Sequence, residues 1–217
     1  MKLPFTIDQF LEVFRNYNTS VFPMQIFLLM LALFIIYQST KPNKHSGKTI
    51  IFALAFIWAW MGIAYHITFF AAINKAAYAF GALFILESVF LFVYGFTKPA
   101  SFSFNKQISG VISAVLLGYA LVIYSLLGYI NGHGYPYSPT FGLPCPTTIF
   151  TFAVFLLAQQ RLPVYILIIP LLWSLIGFSA AFTLGIYEDI GLIVAGLVFS
   201  LIYFIKAKTP HVRNETL

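Results

Sequence analysis

The sequence predicts an all-α integral membrane protein: seven transmembrane helices preceded by an N-terminal amphipathic helix. Composition is the first observation behind this reading. Of 217 residues, 60% are hydrophobic and only 8% are charged, and the mean hydropathy is +0.90. Twelve Lys and Arg with six Asp and Glu cannot clothe a soluble surface of this size. A chain that meets lipid needs no such surface. The second observation is a series of apolar runs of span length joined by short connections. The third is the uneven distribution of basic residues. The net charge of +6 therefore points to loops beside an anionic leaflet, not to nucleic acid.

A span needs about 20 apolar residues to cross a hydrocarbon core of about 30 Å. The runs are 20–38, 49–71, 76–96, 108–130, 146–159, 162–183 and 188–205. Short connections imply antiparallel neighbours in one bundle, a single transmembrane domain over residues 1–217. The first run has no basic segment directly before it, so no cleavable signal peptide is expected. Residues 1–19 precede it with "FTIDQFLEVF". Thr6 caps a helix, Gln9 stands three residues on, and Phe5 and Phe10 occupy staple positions. Ile7, Phe10, Leu11 and Phe14 share one face, with Asp8, Gln9, Glu12 and Arg15 opposite. This helix either lies in the membrane interface or packs on the bundle. The fifth span is short: from Thr147 to Ala158 a helix rises only about 18 Å.

With seven spans the termini lie on opposite sides. Lys2, Arg15 and Lys75 fall on the N-terminal side. Lys41, Lys44, Lys48, Lys98, Lys106, Arg161, Lys206, Lys208 and Arg213 fall on the other. This places the N-terminus outside and the 206–217 tail in the cytoplasm of a cell inner membrane.

"WMGIAYHITFFAAI" (60–73) matches "WSLIGFSAAFTLGI" (173–186) at Trp, Ile, Phe and Ile, and "PMQIF" (23–27) matches "PTTIF" (146–150). The matches run in order through spans one to three (20–96) and five to seven (146–205). They suggest a 3+1+3 parallel repeat with span four (108–130) as linker, a plan that transporters use. In this alignment His66 corresponds to Ser179 and Lys75 to Glu188, and a site between repeats is walled by spans one, two, five and six.

The polar residues within spans are few. Glu87 falls near the middle of span three, where an ionised carboxylate costs about 2.5–3.5 kcal/mol on insertion scales. It must face the bundle, either holding its proton or finding a cationic partner. It reads as a proton, cation or substrate site, against a structural carboxyl bonded to Ser, Tyr or backbone. His66 reads as a proton switch, ligand contact or metal ligand, against a histidine bonded to a carbonyl. Trp58 and Tyr65 share part of its face; Trp58, Trp60 and Trp173 line a pocket or pack the core. Lys75, Glu188 and Asp189 are expected as outer-mouth charges, forming an ion pair or simply solvated; an exposed pair contributes about 0–1 kcal/mol.

The outward loop "NGHGYPYSPTFGLPCPTTIF" (131–150) is the least helical stretch. Pro146 suits a first helical turn, and Thr147 and Thr148 hydroxyls can satisfy free N–H groups. Because the following helix is short, the loop is expected to dip into the outer leaflet and line a wet cavity. The helix start then aims its positive end at an anionic or carbonyl-bearing ligand. The alternative is a compact outer cap. Cys145, the single cysteine, excludes an intrachain disulfide and a CxxC metal site, and with no clear base beside it reads as structural.

The combination "WAWMGIAYHITFF", "INKAAYAFGALF", "GYPYSPTFGLPCPTTIFTF" and "PLLWSLIGFSAAFTLGIYEDIGLIVAG" resembles a bacterial membrane family, catalogued as a domain of unknown function, number 6064. The resemblance covers nearly the whole chain, and "TFGLPCPTT" is its most specific part. It implies a bacterial integral membrane protein and carries no activity. Seven spans in this orientation are also similar to microbial rhodopsins. Here "IGLIVAGLVFSLIYFI" has no lysine for a retinal Schiff base. The sugar-transporting 3+1+3 family has proline-glutamine dipeptides that are absent here.

These readings favour a small-molecule or ion transporter over an enzyme. Its candidate residues are Glu87, His66, Trp58, Tyr65, Ser179, and His133, Cys145, Thr147 and Thr148 of the loop. No catalytic residue and no cofactor is expected; the partners are the bilayer and a small ligand. The alternatives are a membrane-embedded metal-dependent hydrolase or lipid-modifying enzyme, with His66, His133 and Asp189 around a metal, and a sensor or accessory subunit.

Overall fold

A computed structural model describes residues 4–98 and 100–208. Its regular elements are helices: α1 (Ile7–Ser20), α2 (Met24–Thr40), α3 (Ser46–Trp60), α4 (Ala77–Thr97), α5 (Ile108–Gly118), α6 (Tyr124–Ile130), α7 (Pro144–Leu156), α8 (Tyr165–Leu184) and α9 (Ile190–Lys208). π-helical turns continue α3 through Met61–Phe69 and join α5 to α6 through Tyr119–Ile123. Among the described residues, five stretches are long and apolar enough to cross a membrane: Ser46–Ala72, Ala77–Thr97, Ile108–Ile130, Tyr165–Leu184 and Tyr187–Ile205. The pair α1–α2, bent by 86°, makes up to a sixth. Large apolar side chains stand exposed along them, among them Phe34, Phe92, Val115, Leu175 and Leu201. That is a surface for lipid, since a soluble monomer hides such patches.

The expected N-terminal cap is formed. Gln9 N–H donates to Thr6 Oγ1 at 3.3 Å, and Thr6 N–H donates to Gln9 Oε1 at 2.9 Å. The Phe5 and Phe10 rings stack at 5.6 Å. The apolar face of α1 packs on the bundle: Phe14 stacks on Tyr65, and Phe5 and Phe10 meet Phe70.

α7 is the hub. Thirteen residues rise about 20 Å, and every residue of it except the half-buried Cys145 is buried. α3, α5, α8 and α9 all pack against it. Trp58 Nε1 donates to Thr151 Oγ1 at 3.1 Å, and Ser113 Oγ donates to the Ala153 carbonyl at 2.7 Å. Phe152 stacks on Phe199 of α9 at 5.2 Å. α5, expected as a linker span, lies along this hub. The two helix triplets aligned as repeats also pack differently. α7 meets α9 closely, whereas α2 packs chiefly on α3 and leaves many of its apolar side chains exposed.

Each end of α7 is continued by non-helical chain. Beyond its C-terminus, Ser103 N–H donates to the Leu157 carbonyl at 3.0 Å and Gln159 N–H to the Ser101 carbonyl at 2.9 Å. Gln159 Nε2 holds the Ser103 and Leu157 carbonyls, and Phe104 N–H bonds the Ser39 carbonyl at 3.1 Å. This seal, built from 100–106, went unseen in the sequence. Before the N-terminus, Ser138, Pro139 and Phe141–Pro144 are buried, so the loop does descend among the helices.

The elements sort to two ends. One end gathers α1, residues 131–143 and the Tyr187–Asp189 turn. The other gathers 100–107 and 157–162 with Ser39 and Tyr203. α8 stops at Gly185, whose φ of 74° is a left-handed conformation that glycine adopts without cost. Ile186 N–H then reaches back to the Ala181 carbonyl at 2.9 Å, a turn that folds the chain inward.

The seal leaves no room at Gly47, where an added Cβ would sit 1.7 Å from the Ala100 carbonyl oxygen; at Gly118 it would meet nothing within 4 Å. Gly47→Ala is therefore expected to lower stability by at least about 1–3 kcal/mol, and Gly118→Ala to be neutral or stabilising by up to about 1 kcal/mol. Thermal unfolding of both variants in detergent checks the pair.

Candidate functional site

A cavity of about 510 Å³ opens at the α1 end of the bundle. Phe5, Phe10 and Phe14 wall it from the N-terminal segment, and Tyr65, Phe70 and Phe80 from α3's continuation and α4. Trp173 and the last turns of α8 form the far side, and the start of α7 forms the floor with Pro144 and Cys145. Along α8 the lining residues Ser179, Phe182 and Thr183 are exposed, so the cavity is open on that flank.

Its polar groups are few. Asp189 is buried and accepts a hydrogen bond from the Tyr124 hydroxyl; the Cys145 thiol lies beside it. The Trp173 indole Nε1 is buried and has no oxygen or nitrogen acceptor among the described residues; the Cys145 sulfur, a weak acceptor, is its neighbour. Among the described residues, no Lys or Arg lines the cavity.

The start of α7 corrects one expectation. A helix N-terminus ordinarily leaves four free N–H groups. Pro144 and Pro146 have none to leave, and Thr147 N–H bonds the Leu143 carbonyl at 3.3 Å. The prolines thus suit a helix start shut away from water, but they remove the donors that would hold an anion, and Asp189 adds a carboxyl beside it. An anionic ligand does not fit here. Thr147 Oγ1 instead accepts from Gly142 N–H at 3.0 Å, and Thr148 Oγ1 donates to the Pro144 carbonyl at 2.7 Å. Both threonines brace the loop-to-helix junction and neither lines the cavity.

Glu188 and Asp189, expected on a solvated loop, are both buried. The inward turn after Gly185 carries them under the loop. There His133 Nε2 lies 2.6 Å from Glu188 Oε1, and Asn131 Nδ2 donates to Oε2 at 3.2 Å. Tyr119 hydroxyl donates to the Glu188 carbonyl at 2.6 Å. Lys75 takes no part: it is exposed, with its ammonium 6.0 Å from the Tyr78 ring centre. The mouth charges therefore form a buried His–Glu pair across 55 residues rather than a Lys–Glu bridge.

His66 is fully buried in an aromatic nest of Phe84, Trp173 and Phe80, with ring centres at 4.5, 5.1 and 6.0 Å. Neither ring nitrogen has a hydrogen-bonding partner among the described residues. It sits behind the cavity wall rather than in the lining. Glu87, one turn beyond Phe84 on α4, is equally buried, and neither of its oxygens has a partner among the described residues. Trp58 is core, bonded to Thr151 as above. His66, His133 and Asp189 do not meet around one point, and among the described residues no group of three His, Cys, Asp or Glu side chains is placed to hold a metal.

Of the residues singled out in the sequence, the structure brings Tyr65, Cys145, Trp173, Ser179 and Asp189 into one cavity. Tyr124 and the Phe5–Phe10–Phe14 stripe were missed. A tyrosine inside the run "LVIYSLLG" is the signal that pointed to the first, and the apolar face of α1 to the second.

The loop depends on Asn18. Its Nδ2 donates to the Pro136 and Ser138 carbonyls at 2.7 and 2.9 Å, and its Oδ1 accepts from Thr140 Oγ1 at 2.9 Å. Asn18→Ala strands those groups where water is scarce and is expected to cost about 1–3 kcal/mol. A lowered melting temperature, with faster proteolysis confined to 131–143, is the outcome to look for.

A family model covers residues 7–214, described as a family of unknown function (DUF6064). No curated protein and no solved structure matches the chain.

Proposed function

Taking as premise that the chain belongs to the DUF6064 family of unknown function, we propose that it is a seven-span transporter for a small, largely apolar solute. The cavity carries this reading: about 510 Å³ of space, aromatic walls and one buried acid, the size and mixture of a small-molecule site. Its flank along α8 faces where lipid would lie, so a solute dissolved in the membrane can reach it. Glu87 and His66 lie on the elements that frame the cavity wall, buried and unengaged. Unengaged ionisable groups at depth are the usual marks of a proton or substrate path. The metal-dependent enzyme has no such support, since its three residues stay apart.

In this reading α2, α3, α4, α5–α6, α7, α8 and α9 are the spans. The end holding α1, Lys75 and the 131–143 loop is outside; the end holding Lys41, Lys44, Lys48 and Arg161 is cytoplasmic, as the positive-inside rule requires. In a Cys145→Ala background, a membrane-impermeant maleimide applied to intact cells is expected to label Lys75→Cys and spare Lys41→Cys. Labelling of both alike, or the reverse pattern, overturns the orientation.

Transport is tested in proteoliposomes with a panel of small amphiphilic solutes. At least one is expected to enter faster than into empty liposomes. Ala180→Trp, which fills the cavity from its wall, abolishes that uptake, and Glu87→Gln slows it at least tenfold. Uptake no faster than into empty liposomes, or indifferent to Ala180→Trp, removes the transporter reading. Uptake indifferent to Glu87→Gln alone removes that residue's role.

A further inference from the structure

The charge balance at the cavity floor says more about what it takes. Two neighbouring carboxyls, Glu188 and Asp189, are buried together. Glu188 is provided for, with His133, Asn131 and backbone contacts around it. Asp189 has a phenol and a thiol beside it and, among the described residues, no cation. The described titratable groups around it are Tyr124, Cys145, Glu188, Tyr65 and Tyr119, none of them positive; no Lys or Arg among the described residues lines the cavity. A buried carboxyl with no cation beside it either holds its proton or takes up a positive charge from outside, so the floor has a place for one cation.

The walls suit such a charge. Phe5, Phe10, Phe14, Phe70, Phe80 and Trp173 line one space. Aromatic faces attract a cation, by about 2 kcal/mol or more when desolvated, and surround ammonium groups where they form a cage. The buried Trp173 indole N–H lacks an oxygen acceptor among the described residues; an ammonium nitrogen has no lone pair to offer it, so it is left for an acceptor atom elsewhere on an occupant. An anion meets the Asp189 carboxyl and, among the described lining residues, no Lys or Arg to offset it.

We propose that the cavity binds an organic ammonium ion, an amine carrying an apolar or aromatic group, with the nitrogen at Asp189 and the apolar part among the phenylalanines. This rests on the cavity being a solute site, as above, and names the class of solute.

The test uses the full chain purified in detergent, with empty micelles as the partition control. Calorimetric titration compares 2-phenylethylammonium, 2-phenylethanol and phenylacetate: one ring, three charges. The ammonium is expected to bind at least tenfold tighter than the alcohol, and phenylacetate not at all. Asp189→Asn is expected to erase the preference while keeping the alcohol's affinity. Tyr124→Phe, which keeps the acid and removes its internal donor, is expected to bind the ammonium at least as tightly as the native chain. If Asp189→Asn does not fold, the native chain's ratio and Tyr124→Phe decide. Equal binding of ammonium and alcohol overturns the cation assignment and leaves the cavity a solute site. Binding of neither overturns both, and ammonium binding unchanged in a folded Asp189→Asn overturns the role of that carboxyl.

Discussion

A helix of thirteen residues covers about 20 Å, roughly ten short of a hydrocarbon core, and much of this fold answers what that shortfall leaves unmet. Inside a bilayer a free N–H or C=O has no water to turn to, and each one costs several kcal/mol. α7 therefore cannot stand among lipids. It is enclosed by α3, α5, α8 and α9, and its ends are continued by chain whose polar groups are matched by other chain. At one end the 100–106 strip pairs with Leu157 and Gln159; at the other, prolines delete N–H groups and Asn18 collects the carbonyls of the loop. Gly47 permits the first closure by letting Ala100 press against it.

The second closure makes the cavity. Asn18, which gathers the loop, belongs to α1, and so do Phe10 and Phe14. Fixing the loop thus also fixes an aromatic wall. α1 turns 86° from α2 and lies across the bundle end, while the short α7 leaves its start below that level. The space between them is what a full-length helix would have filled. The structural debt of α7 and the presence of a solute-sized hollow are two descriptions of one shape.

Much of this was legible in the sequence, and the parts that were not share a cause. Helix periodicity and the Thr6–Gln9 cap are local signals, and they gave α1 its bounds and its apolar face. The length of the apolar runs placed the helices within a few residues. Pro144 and Pro146 beside a run too short to cross marked the descending loop. By contrast "SFSFN" (101–105) reads as an ordinary polar turn; only its pairing with Leu157 and Gln159, over fifty residues away, reveals a seal. "YED" (187–189) reads as a solvated turn for the same reason, because His133 and Asn131 are named nowhere near it. The positive helix end read from 144–148 failed because prolines both start a helix and delete the donors that give the start its reach.

The acids show how burial separates structure from work. Glu188, Asp189 and Glu87 are all buried, yet they are provided for unequally. Glu188 is matched at both oxygens and ties the 131–143 loop to the α8–α9 turn, so its removal is a loss of structure. Asp189 is matched by Tyr124 and opens onto space. Glu87 is matched by nothing among the described residues. A fold gains nothing from a carboxyl it does not engage, and the desolvation cost stands against it throughout. The further an acid here departs from being satisfied by the described residues, the less the packing alone accounts for it.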